Sequence, residues 1–436
     1  MYASVTTLTV DREAPISQRK RLLAALVPLS AGQGEIYALD GLRAIAALSV
    51  VFFHSYYSVT RSVVIAGQNI TFLWNYGQSG VHLFFVLSGF LLFMPFARAM
   101  LNAKSLPSTK RFFQRRALRI LPAYWVCLAI LAALQFNALD SLTGLLNVGA
   151  HVLLIHDDFP IANRTIEGPF WTLAVEAQFY VVLPVFAWAI SRFVGATRSP
   201  RRVIAGVLGV IAGALVLRAL DAVVQGRLES VHGIVGQLAT VFVTVTLGIQ
   251  GKYLEVFGLG MLCSVLYLVV QERRESLRWL GWAGAGLAVC ALAGTVGFAQ
   301  LEMHRDILTP PFFLFVHATD PMVIAGPLMA GMPYAALTLS ALWGPAWLRA
   351  VFEFKPLRFI GLISYSLYLW HEPILVYASR YALLLPAGLR IGFELLIAFT
   401  VAVPVAYLSY QFVERPFLAR RRLFAAAPSS ADVATP

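Results

Sequence analysis

Charge is what this chain lacks. Of its 436 residues only 13% are Asp, Glu, Lys or Arg, about half the ~25% of a soluble domain, which excludes an ordinary water-facing surface. Acidic residues are the scarcer kind, 22 against 34 basic ones, for a net charge of +12. In a soluble protein that surplus would suggest nucleic acid as a partner. On so apolar a chain it fits basic cytoplasmic loops instead. Cysteine is nearly absent too. Cys127, Cys263 and Cys290 all fall in apolar runs, which argues against a disulfide framework or a cysteine zinc site. No repeat, heptad or soluble domain is visible, so the chemistry must come from membrane helices and their loops.

What is present is hydrophobic sequence, 59% of all residues with a mean hydropathy of +0.73. The fold class expected is all-α, a polytopic transmembrane bundle of about ten helices, each run being near the ~20 residues a span needs. The runs lie at approximately 39–58, 76–97, 119–138, 170–190, 203–223, 253–270, 279–299, 323–345, 359–381 and 388–413. With the N-terminus inside, basic clusters such as Arg19–Arg21, Arg98–Arg119 and Arg420–Arg422 fall on one side. The opposite loops hold little more than Arg61, Arg164, Arg227, Lys252 and Arg305, which puts both termini on the cytoplasmic side. Residues 142–156 and 232–250 are apolar but break that pattern as spans, and read as interfacial or re-entrant pieces. Residues 1–35 read as a flexible cytoplasmic arm, 36–418 as the membrane domain, and 419–436 as a disordered tail.

Ionisable residues inside such runs are costly and point to function. In LDGLRAIAALSVVFFHSYY (39–57), Arg43 and His54 are eleven positions apart, close to three turns and roughly 16 Å of rise, so they face one side at different depths. Glu176 in FWTLAVEAQFY, His82 in GVHLFFVLSGFLL and His371 in SYSLYLWHEPIL fall at a layer near His54. At the inner surface, Arg116 and Arg119 are three apart and face the same way. Arginine forks suit phosphate oxygens, and Arg43 enters the same layer. A polyphosphate carrier held there would place the end of a phosphopantetheine-length arm near the histidine. That histidine then acts as general base on an acceptor hydroxyl, or as acyl relay. Plainer readings stand beside these: Arg43 snorkelling to headgroups or pairing with Asp40, Arg116 and Arg119 serving topology, and His371 packing among aromatics. Ser88 and Gly89 read as small residues that let helices approach. His151, His156, Asp157 and Asp158 do not have the spacing of a helical metal-ligand pair and read as solvated loop residues.

Taken in order, YALDGLRAIAALSVVFFH, GVHLFFVLSGFLL, the RALR pair at Arg116 and Arg119, FWTLAVEAQFY, SYSLYLWHEPIL and YQFVERPF (410–417) resemble the acyltransferase 3 family of bacterial integral-membrane acyltransferases, over residues 36–418. The resemblance implies a cytosolic acyl-CoA donor (acetyl-CoA), no metal, and transfer of a short acyl group to a hydroxyl of a sugar or macrolide-type acceptor. It implies function for Arg43 and His54, donor binding for Arg116 and Arg119 with Arg43, and a place in the site for Glu176. His371 and His82 are the expected acceptor-side residues, although His82 stands where the family often has Asp. The appended hydrolase-like domain of some relatives is expected to be missing. A competing expectation is a polar-solute transporter using Arg43, His54 and Glu176 for substrate or proton coupling.

Overall fold

The computed structural model describes residues 36–60, 64–65, 68–69, 71, 76–134, 140–158, 162, 165–166, 168–228, 253–271, 279–303 and 321–420. Among them the regular structure is helical, apart from a two-residue antiparallel pairing of Val64–Ile65 with Gln68–Asn69. The helices are α1 (Tyr37–Tyr57), α2 (Gly80–Leu101), α3 (Thr109–Leu134), α4 (Leu142–Val152), α5 (Phe170–Val194) and α6 (Pro200–Leu228). After them come α7 (Leu254–Gln271), α8 (Leu280–Met303), α9 (Pro321–Trp343), α10 (Ala346–Phe352), α11 (Lys355–Leu362) and α12 (Ser364–Ala382). The last stretch is α13 (Ala387–Ile397), α14 (Val403–Ser409) and α15 (Arg415–Arg420). Nine of the described helical stretches are long and apolar enough to cross a membrane, or ten if α11 and α12, bent by 75°, form one span. The polytopic all-α expectation holds.

Local chemistry sets the ends. In α1 the acidic Asp40 lies in the first turn and His54 in the last, as the helix dipole prefers. Ser141 caps α4 by accepting from the Gly144 amide at 3.0 Å. Helix α5 closes at Gly195, whose φ of 61° ends the run. The stretch from α13 to α15 continues as one apolar length through π-helical turns at Ala398–Ala402 and Tyr410–Glu414. The second turn carries Glu414 into the protein, where Ser366 donates to it at 2.5 Å.

Small residues govern the packing. Ala398, Ala402, Ala406 and Tyr410 sit in one buried cluster with Ala47 and Val51 of α1, Ile363 at the bend, and Leu367 and Leu375 of α12. Helices α2 and α7 touch backbone to backbone: a Cβ on Gly89 would strike the Phe257 carbonyl oxygen, and one on Gly260 the Val86 carbonyl oxygen. That reciprocal contact is what small residues allow in a membrane, where apolar surface alone drives no association. It bears out Gly89 as a close-approach residue.

The structure departs from the expected boundaries at three places. The third helix begins at Thr109 rather than near 119, because Lys110–Arg119 forms an amphipathic first half with Phe112 buried on its inner face. The ninth run is broken at Ile363, where α11 meets α12. Helix α4 has only 11 residues, about 16 Å, too short to cross ~30 Å of hydrocarbon; this agrees with the interfacial reading. The other ambiguous stretch, 232–250, lies outside the described residues, as do 1–35 and 421–436.

Two buried polar pairs generate predictions of their own. Arg218 of α6 and Glu255 of α7 pair at 2.6 Å and are 1% and 0% exposed. Removing one partner strands the other, so Glu255→Ala should cost about 3–5 kcal/mol, read as a large drop in thermal midpoint in detergent. The double change Arg218→Met/Glu255→Leu should recover most of it. His151 and His156, expected as solvated loop residues, are instead buried: His151 lies in the last turn of α4, and its ring stacks on that of His156 at 4.0 Å and 4°. Burial pushes the His151 imidazole below its ordinary 6.5, so the unfolded chain binds its proton first and stability rises with pH. The midpoint should therefore fall as pH drops through about 6.5, and His151→Gln should flatten that slope.

Candidate active site

An open cavity of about 760 Å³, partly continuous with solvent, runs between α1, α2, α3, α5 and α12. Its α2 wall extends from Val81 to Leu92, eleven positions or about 16 Å of helix. Three guanidinium groups line it: Arg43 of α1, and Arg116 and Arg119 of α3. Arg43 lies within electrostatic reach of both others and of Glu176, as does Arg116. The geometry is local in origin: the three-residue spacing on α3 turns Arg116 and Arg119 to one face, toward Arg43 in the first two turns of α1. Arg43 also meets Asp40 at 3.5 Å, so the ion-pair reading and the shared cavity hold together.

Glu176 is the carboxylate of the lining. It accepts from Ser88 at 2.5 Å and from Tyr180. Glu414 faces Arg119 electrostatically from behind the wall. Apolar side chains, including Leu87, Leu91, Leu92, Ile120 and Leu173, make up much of the rest. At the end away from the arginines the cavity reaches Phe84, Thr172 and Tyr368. The Tyr368 and Thr172 hydroxyls lie 2.8 Å apart and 3.1 and 3.0 Å from the Pro169 carbonyl, so one donates to that carbonyl while the other donates to its neighbouring hydroxyl. The first turn of α5 is thereby tied to α12.

His54 does not line this cavity. It sits one layer beyond, in a pair with His371, whose ring lies 5.6 Å from that of Tyr368. The pair has a defined proton arrangement. His371 Nδ1 faces the carbonyl oxygens of Leu367 and Tyr368, at 3.1 and 2.9 Å. A carbonyl only accepts, so Nδ1 holds the proton and His371 Nε2 keeps its lone pair. His54 Nδ1 lies 3.1 Å from that Nε2 and 3.0 Å from the Val50 carbonyl. Both neighbours are acceptors, so His54 also holds its proton on Nδ1. In the neutral imidazole Nε2 then carries the lone pair, on the side where Glu372 Oε1 lies 3.9 Å away.

The expected residues thus divide into two groups. Arg43, Arg116, Arg119 and Glu176 come together at the cavity; His54 and His371 come together beyond Tyr368. Glu176 is not the carboxylate beside His54. Helix α5 begins at Phe170, so Glu176 is six positions inside its end, whereas His54 is only three from the end of α1. It is Gly168, just before α5, that reaches the His54 layer: a Cβ there would lie 2.8 Å from each Glu372 oxygen. His82 joins neither group; its ring packs edge-on against Tyr253 at 5.6 Å. Sequence reasoning passed over Glu372, although it adjoins His371 in the same motif, and a carboxylate within an apolar span was signal enough.

A family model described as an acyltransferase domain matches residues 36–410. Among curated proteins, the chain is 23% identical over 400 residues to the peptidoglycan O-acetyltransferase OatA of Listeria monocytogenes, covering 87% of this chain and 55% of that protein. It is 26% identical over 407 residues to the putative peptidoglycan O-acetyltransferase YrhL of Bacillus subtilis (87% and 54%). It is 25% identical over 393 residues to the O-acetyltransferase OatA of Staphylococcus aureus (87% and 56%). The chain therefore spans about half the length of these relatives. No solved structure matches it.

The histidine geometry is testable by itself. Nitrogen NMR of 15N-histidine protein in nanodiscs at pH 7.5 should show His54 and His371 both protonated at Nδ1 and bare at Nε2. His371→Phe should leave the His54 tautomer mixed, since only the Val50 carbonyl then holds it.

Proposed function

The chain belongs to the acyltransferase family defined by that domain, and from this premise we propose that it is a membrane O-acyltransferase. In this reading it moves a short acyl group, acetyl, from cytosolic acyl-CoA to a hydroxyl of a carbohydrate. By the positive-inside rule, which sets the basic loops on the cytosolic side, the arginine end of the cavity faces the cytosol. The names of the relatives, O-acetyltransferases with peptidoglycan as the named substrate for two of them, favour a sugar over a macrolide as acceptor. One observation carries the proposal: a long apolar-walled cavity with three arginines at one end stops one aromatic residue short of a histidine pair.

The chemistry follows from the parts. Arg43, Arg116 and Arg119 bind the phosphates of the nucleotide handle through charge-assisted hydrogen bonds. The pantetheine arm lies along the α2 wall, and the thioester reaches the Tyr368–Thr172 end. Passage to the histidines requires the Tyr368 side chain to swing away from Thr172. His54 Nε2 accepts the proton of the acceptor hydroxyl as its oxygen bonds to the thioester carbonyl carbon. The carbon–sulfur bond then breaks, and the departing thiolate takes that proton from the imidazolium. Atoms and charge balance without a further co-reactant. His371 keeps His54 in the tautomer that exposes a basic Nε2. Glu176, held by Ser88 and Tyr180, limits the mutual repulsion of the arginines.

The test separates the two ends. With [14C]acetyl-CoA and purified protein in proteoliposomes, His54→Gln should lower kcat by at least ~100-fold while the KM for acetyl-CoA stays within about twofold. Arg116→Ala and Arg119→Ala should each raise that KM by about tenfold or more, the loss of one charge-assisted contact. Wild-type turnover in His54→Gln would remove the proposed base.

A further inference from the structure

Glu372 has no part in the transfer just described, yet its position is specific. Its carboxylate is 20% exposed and lies 3.9 Å from His54 Nε2, longer than any hydrogen bond. Its second oxygen, Oε2, is buried and makes no hydrogen bond among the described residues. Gly168 leaves the space both oxygens occupy. A buried acceptor without a donor is costly, and such a site calls for a ligand that supplies one. Glu372 is not the orienting carboxylate of a base, because His371 and the Val50 carbonyl already hold His54 at Nδ1, on the other side of the ring.

Resting on the acyl-transfer reading, we propose that Glu372 positions the acceptor and selects its class: a ring bearing the reacting hydroxyl next to a second hydrogen-bond donor, a neighbouring hydroxyl or an amide N–H. A lone hydroxyl has one proton and cannot donate to both His54 Nε2 and Glu372. Two donors on adjacent ring carbons can, and the 3.9 Å between the two acceptors suits such a pair, each donor about 2.8 Å from its own partner. The reacting hydroxyl gives its proton to Nε2, while its neighbour donates to the carboxylate and fixes the attacking oxygen. Glu372 forms no covalent bond and ends each turnover unchanged. A vicinal diol, or the hydroxyl beside an acetamido group of an amino sugar, meets the requirement.

The experiment compares trans-1,2-cyclohexanediol with cyclohexanol as acceptors for [14C]acetyl-CoA, using the full chain in proteoliposomes. The diol should be favoured in kcat/KM by about tenfold or more, the discrimination expected of one hydrogen bond to a charged group. Glu372→Gln, which keeps shape, and Gly168→Ala, which displaces the carboxylate, should both reduce that preference to about threefold or less. They should do so by raising the KM for the diol, with the KM for acetyl-CoA unmoved. A preference that survives in Glu372→Gln, or a rise of both KM values together, overturns the assignment while leaving His54-dependent transfer standing. Transfer that persists in His54→Gln overturns the acyl-transfer reading and this assignment with it.

Discussion

Three guanidinium groups held between apolar helices are the constraint around which this protein is built. A cation in a low-dielectric interior is stable only if paired, hydrated or matched to a bound anion. Here Arg43, Arg116 and Arg119 line one cavity, with Glu176 in the wall, Asp40 against Arg43, and Glu414 behind Arg119. Those carboxylates keep the apo state tolerable without sealing the cavity. They are themselves held: Glu176 by Ser88 and Tyr180, Glu414 by Ser366. The π-helical turn at Tyr410–Glu414 belongs to the same arrangement, since it is the element that turns Glu414 inward.

Helix α12 connects this charged end to the histidine pair. Within five residues it presents Tyr368 to the cavity, His371 to His54, and Glu372 to the space beside Nε2. The bend at Ile363 aims the helix, and the Tyr368–Thr172 bond ties it to α5. The same tyrosine therefore lines the cavity and adjoins the histidine pair. In the proposed reading, a partition of this kind holds the bound thioester apart from the histidine base until an acceptor is in place.

Much of this was legible in the residues. The hydropathy runs locate the spans, and small residues such as Gly89 mark a helix contact. The eleven-residue step from Arg43 to His54 places a cation and an imidazole on one side of α1 at two depths. What the runs do not encode is where each helix starts relative to its neighbours. Depth counted from the ends of apolar runs put Glu176 level with His54, and only the packed bundle shows that Gly168 and Glu372 hold that level instead. The arginine-rich start of α3 hides from hydropathy because its apolar face is narrow. His82 shares the depth of the site but turns to Tyr253, a lateral choice that no periodicity specifies.

The most direct test is a structure of the protein with a non-hydrolysable acetyl-CoA analogue whose sulfur is replaced by methylene. The account predicts phosphate oxygens against Arg43, Arg116 and Arg119, the arm along α2, Tyr368 rotated off Thr172, and the acetyl carbonyl within about 4 Å of His54 Nε2, reacting-atom range for an intervening hydroxyl. Phosphates bound away from those arginines, or an acetyl group stopped behind an unmoved Tyr368 even with an acceptor present, would contradict it.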